Sequence, residues 1–142
     1  MIRLAVNNIP GDLSGSFLNS IAQKASNEIK TDGIIELNFV TRDDIRELNR
    51  EYRGKDTETD VLSFELKENE IAGQIFICYD IAVEQGKDYG WTTENEIALL
   101  LSHGLLHIDG YAHKNDRCAE EMLEAENKIL KSLNLREYET KS

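Results

Sequence analysis

The segment Ile97–Ile108 constrains this chain more than any other, because it is long enough for about three helical turns and apolar on nearly every side. A helix of that kind must be surrounded by other elements, so it belongs at the centre of the fold. Thr93 and Glu96 form a capping-box pattern just ahead of it and mark its start. Its polar members include His103 and His107, four residues apart and therefore on one face.

The rest of the chain supplies the surrounding layers. Ile2, Leu4 and Val6 alternate as a short strand, and Phe17, Ile21, Ala25 and Ile29 recur at helical spacing in a segment expected to end near Gly33. Residues 34–40 alternate again, and Thr41 with Asp44 resembles an N-cap for a helix carrying Ile45, Leu48 and Tyr52 that stops at Gly54. Residues 61–66 and 71–78 are β-rich runs separated by Lys67-Glu68-Asn69-Glu70, a spacing that suits an antiparallel hairpin. A short helical stretch follows at 81–87. The last helix runs from about Asp116 to Leu133 with Met122, Ala125 and Ile129 facing inward, and the charged tail from Arg136 to Ser142 is expected to fray. The predicted class is α+β, with a mixed four-stranded sheet, five helices and one central buried helix.

No repeat, low-complexity tract or Pro/Gly/Ser-rich linker interrupts the 142 residues, so residues 1–142 are expected to form one domain. A chain of that size buries enough surface to fold without disulfides or a structural metal, so any metal site is expected to be functional. The longest apolar run, Ile97–Leu101, is far too short for a membrane span, and the N-terminal segment turns polar before a signal peptide could develop. Cys78 and Cys118 lack the spacing of a disulfide framework or a thiolate zinc site, which suits a cytoplasmic location. A net charge of −11 argues against broad, non-specific nucleic-acid binding.

All three histidines fall in the run His103-Gly104-Leu105-Leu106-His107-Ile108-Asp109-Gly110-Tyr111-Ala112-His113. His103 and His107 can converge on one ion from a helix face, and Gly110, free to take positive φ, can turn the chain so that His113 closes over the pair. Three neutral nitrogen ligands leave a coordination position open, as a catalytic site requires. The spacing is that of metzincin peptidases, yet Gly104 stands where those enzymes carry their general-base Glu, so peptide hydrolysis is disfavoured. That glycine also eases close approach of a substrate or a neighbouring helix. Arg42, Arg46, Arg50, Arg53 and Lys55 form a basic stripe; the first three read as a solvated face balanced by Asp43, Asp44, Glu47 and Glu51. Arg53 lies past that stripe, in the turn Tyr52-Arg53-Gly54-Lys55-Asp56, where its guanidinium could take a phosphate with two parallel hydrogen bonds.

Two blocks resemble the YbeY-type metal-dependent endoribonucleases, also called ribosomal RNA maturation factors: Leu48-Asn49-Arg50-Glu51-Tyr52-Arg53-Gly54-Lys55-Asp56 through Thr59-Asp60-Val61-Leu62-Ser63-Phe64, and His103-Gly104-Leu105-Leu106-His107 through Gly110-Tyr111-Ala112-His113. The resemblance implies a zincin-like α+β fold, a metal held by His103, His107 and His113, a functional Arg53, and hydrolysis of ribosomal RNA. It also implies RNA and ribosomal or ribosome-associated proteins as partners. Zinc is the expected ion, with nickel, cobalt, copper and iron also compatible with imidazole ligands. This chain departs from the family pattern at Ala112, where an acidic residue is expected, and at Gly73-Gln74-Ile75, where Gly-Asp-Ile is usual; both changes are expected to remove a carboxylate near the cleft. Asp109 offers a compensating carboxylate or is a solvated helix-end residue. No general base is evident, so water and the ribose 2′-OH both stay open as nucleophile. Two other readings also remain: a non-catalytic metal-binding ribosome-assembly module, and a metallohydrolase of a different small substrate.

Overall fold

A computed structural model describes residues 1–112 and 114–138. The elements run β1 (Ile2–Asn7), α1 (Gly15–Ala25), β2 (Gly33–Val40), α2 (Arg42–Arg53), β3 (Val61–Glu68), β4 (Ile71–Cys78), α3 (Tyr79–Tyr89), α4 (Thr93–Ile108) and α5 (Asp116–Ser132). The four strands form one sheet in the order β1-β2-β4-β3. β1 and β4 flank β2 in parallel, while β3 folds back antiparallel on β4 as the hairpin spacing predicts. The hairpin turn is tighter than expected, because β3 continues to Glu68 and Asn69 takes the left-handed conformation (φ 57°).

The apolar helix is central, as its composition requires. α4 packs against β3 and β4 on one side and α1, α3 and α5 on the others, and Ile97, Leu101, Leu105 and Leu106 are fully buried. Two glycines set how closely it approaches the sheet. A Cβ on Gly104 would stand 3.0 Å from Ile75 Cδ1, and one on Gly73 would stand 2.7 Å from Ile108 Cδ1 and 2.8 Å from the Phe64 carbonyl oxygen. Gly104 therefore accommodates strand β4 rather than a substrate or a helix. α2 covers the opposite face of β3 and β4 through a smaller cluster built on Ile45, Leu62 and Cys78.

Several local expectations are corrected. α1 stops at Ala25, because the Ser26 hydroxyl donates to the Ala22 carbonyl (2.9 Å) and accepts from the Ile2 amide (3.2 Å), turning the chain toward β1; Ile29 packs on the core from the following loop. Thr92, not Thr93, caps α4 by accepting from the Asn95 amide (3.1 Å), which frees Glu96 from any capping role. The tail does not fray at its start. Asn95 clasps the Arg136 backbone (2.8 and 3.1 Å) and Asn127 clasps the Tyr138 backbone (2.7 and 3.0 Å), so residues 133–138 strap from α5 to the first turn of α4. Residues 139–142 lie outside the described residues. No helix among the described residues is long and apolar enough to cross a membrane.

Candidate metal centre

The C-terminus of α4 builds the site. The left-handed Gly110 (φ 106°) lets its own amide bond the His107 carbonyl (3.0 Å) and the Tyr111 amide bond the Leu106 carbonyl (3.0 Å), a Schellman closure of the helix. That turn brings the Tyr111 carbonyl oxygen to 3.1 Å from His107 Nδ1. From α5, Glu126 Oε1 reaches to 2.5 Å from His103 Nδ1. Each Nδ1 thus faces an oxygen acceptor, which holds the proton on Nδ1 and makes Nε2 the donor atom of both rings. The two Nε2 atoms lie 3.0 Å apart.

This donor chemistry fits a transition-metal ion. Ligand histidines ordinarily direct the second ring nitrogen at a carboxylate or a backbone carbonyl, and one of each is present here. Among the described residues no group of three His, Cys, Asp or Glu side chains is placed to hold a metal. His113, the third donor expected from the sequence, lies outside the described residues.

The basic stripe separates into two kinds of arginine. Arg42 pairs with Glu58 (3.1 Å) and Glu84 (2.5 Å), Arg46 with Asp56 (2.9 Å), and Arg50 with Glu47. These hydrogen-bonded carboxylates hold all three guanidinium groups above their ordinary pKa. The face is charge-balanced as expected, although Glu58, Glu84 and Asp56 replace most of the helix acids as partners. Arg53 is the last residue of α2 rather than part of the turn, with Gly54 (φ 69°) closing the helix after it. Its guanidinium donates to the Ser63 carbonyl (2.8 Å) on the edge strand β3 and sits 5.1 Å from the Phe64 ring centroid. Among the described residues no carboxylate pairs with Arg53. Asn49, buried in α2, holds the following loop by donating to the Thr57 carbonyl (3.0 Å), which fixes how α2 presents its end.

Two expectations about carboxylates change. Gln74 donates to Glu36 (3.2 Å) on the sheet face opposite α4, since its neighbours Gly73 and Ile75 are the residues that meet α4. A carboxylate at that position would not face the histidine pair. Asp109 neither compensates nor is simply solvated: its Oδ1 accepts from the Lys30 amide (3.0 Å), the Thr31 amide (2.9 Å) and the Thr31 hydroxyl (2.7 Å), tying α4 to the loop before β2. Sequence reasoning missed Glu126, which supplies the carboxylate on the histidine pair and follows His103 by 23 residues.

Residues 8–134 match the profile of a family described as endoribonuclease YbeY. An endoribonuclease YbeY of Carboxydothermus hydrogenoformans is 41% identical over 130 residues, covering 87% of this chain and 91% of that protein. One from Staphylococcus epidermidis is 37% identical over 142 aligned positions, covering 88% and 92%. A solution structure of a Thermotoga maritima protein superposes with a TM-score of 0.63 at 28% identity, covering 94% of this chain and 92% of that one.

Proposed function

The chain belongs to the YbeY endoribonuclease family, and from that premise we propose that it is a zinc-dependent endoribonuclease of ribosomal RNA, working as one hydrolase domain in the cytoplasm. The observation that carries the reading is the pair of Nε2 atoms 3.0 Å apart, each ring oriented through Nδ1 by an oxygen acceptor. His103, His107 and His113 would hold the ion in a zincin-like arrangement. Bound there, a divalent ion supplies Lewis acidity to a phosphoryl oxygen and to water.

The chain's own residues do the rest. Glu126 and the Tyr111 carbonyl fix ring orientation and tautomer, so the His103 and His107 rings are oriented before the ion arrives. Arg53 has no carboxylate partner among the described residues, and its fork of N–H groups suits a phosphate whose charge grows in the transition state. Arg42, Arg46 and Arg50 are already neutralised by acids and contribute little to RNA affinity.

The reading is tested by incubating ribosomal RNA with zinc-reconstituted protein beside identically purified Arg53→Ala, His107→Ala and His113→Ala samples. Cutting by the parent protein alone is expected. Equal cutting in every lane would identify a contaminant, and no cutting in any lane would favour an assembly role.

A further inference from the structure

Beside the histidine pair, α3, α4 and α5 enclose a cavity of about 290 Å³ that the proposed hydrolysis does not use. Leu99 and Leu100 from α4, Leu123 from α5 and Val61 from β3 give it apolar walls. Tyr89 and Tyr138 line one side, with ring centroids 5.6 Å apart, and Tyr138 is held there by the C-terminal strap. His103 and Glu126 also line it, so the cavity adjoins the candidate metal centre.

Its polar end is built with care. Glu96 is only 1% exposed, and its Oε1 accepts from the Trp91 indole N–H (3.0 Å). With its amide nitrogen turned toward the acids, Gln85 donates to Glu96 Oε2 (2.7 Å) and to Asp60 Oδ2 (3.1 Å). A carboxyl group taken out of water is costly, and a carboxyl–amide–carboxyl chain does no packing work that apolar residues would not do better. Apolar walls with a few convergent polar groups at one end define a ligand pocket, and this volume is near the lower bound of such pockets.

We propose that this cavity is a subsite for one unstacked nucleobase of the RNA, its faces against the tyrosine and leucine side chains and its polar edge against Gln85, Glu96 and Asp60. The inference rests on the endoribonuclease reading and deepens it. Enzymes that bind RNA by sequence act mainly on single-stranded, splayed-out bases, stacking them on aromatic rings and reading their edges by hydrogen bonds. A flat ring with N–H groups on its rim meets both halves of this lining, sharing carboxyl oxygens that already accept from Trp91 and Gln85, whereas an aliphatic ligand would make no use of that polar end and a phosphate would be repelled by it. Seated there, a base would place its own sugar-phosphate next to His103.

The chain's one tryptophan reports on the cavity, because its indole is bonded to Glu96. The test is a titration of Trp91 fluorescence with each of the four nucleoside 5′-monophosphates and with ribose 5-phosphate, run alongside RNA cleavage. Ala119, which lines the cavity from α5, is changed to Phe to fill it. Gln85→Ala is the second variant, which removes the hydrogen bonds without adding bulk. Saturable change with at least one nucleotide and none with ribose 5-phosphate is expected, weakened roughly tenfold or more in each variant that retains the parent circular dichroism and zinc uptake. An equal response to ribose 5-phosphate, or unaltered affinity in both folded variants, would overturn the subsite. RNA cutting without any nucleotide response would overturn the subsite and leave the endoribonuclease reading intact. Nucleotide binding without RNA cutting would support the subsite and overturn that reading.

Discussion

Glu126 Oε1 stands 2.5 Å from His103 Nδ1, joining the middle of α5 to the histidine-bearing side of α4. A carboxylate there fixes the imidazole tautomer and raises the basicity of the opposite nitrogen. Glu126→Ala is therefore expected to lower zinc affinity by about 10- to 100-fold, with Glu126→Gln intermediate because it retains an acceptor oxygen. Competition against a chromogenic zinc chelator measures both. Parent-like affinity in the alanine variant would remove Glu126 from the centre.

Arg53 and Arg46 lie on the same helix but differ in partner, one on a strand-edge carbonyl and the other on Asp56. Arg53→Ala should cut the rate of RNA cleavage by about 10²-fold, the size seen when one transition-state hydrogen-bond donor is lost. Arg53→Lys should recover only part of it, since an ammonium cannot form two parallel hydrogen bonds. Arg46→Ala should change the rate severalfold at most. Both residues are exposed, so melting temperatures should stay close to the parent's; a large drop for Arg53→Ala would give it a structural role instead.

Gly73 and Gly104 both permit the close approach of α4 to β4, yet their substitution by alanine should differ in size. The new Cβ at Gly73 meets the Phe64 carbonyl oxygen at 2.8 Å, and backbone in a paired strand cannot yield. At Gly104 the obstacle is the Ile75 side chain at 3.0 to 3.2 Å, which can shift by a few tenths of an ångström. Alanine also recovers about 1 kcal/mol of helix propensity there. Gly73→Ala is expected to cost about 2–3 kcal/mol in urea unfolding, and Gly104→Ala about 1 kcal/mol or less. The reverse order would mean that the helix, not the strand, sets the spacing.

What was legible in the sequence was local. The i, i+4 histidines, the apolar helix under them, and the glycine that turns the chain after it all depend on residues within one helix and its cap, where spacing translates directly into geometry. Arg53 was set apart from its stripe by a turn placement that the structure corrects, since it is the last residue of α2. Glu126 could not be found, since its partner lies on another helix and acidic residues are frequent throughout α5. Glu96 was misread because Thr-x-x-Glu matched a capping box at Thr93, whereas Thr92 in fact makes the cap and the helix begins one residue earlier than the pattern implies. The strap at residues 133–138 was hidden in a charged tail, its order coming from Asn127 on α5 and from Asn95, 41 residues before Arg136.

That misread residue yields a test of its own. Burial pushes the Glu96 carboxyl up to about 7 from its ordinary 4.5, against the pull of the Trp91 hydrogen bond and with the charge of Asp60 adding to the rise. The folded state therefore holds this proton over a range in which the unfolded chain has released it. The resulting stability is complete below about pH 4.5, declines as pH rises toward 7, and is gone above that. Glu96→Gln keeps the oxygen that accepts from Trp91 but cannot ionise, so its unfolding free energy should lack this decline. The parent's stability minus the variant's should fall between pH 5 and pH 8 by an amount on the order of 2–3 kcal/mol, read from urea unfolding at the two pH values. Parallel pH profiles would mean that Glu96 ionises freely in the folded protein, with water reaching the polar end of the cavity.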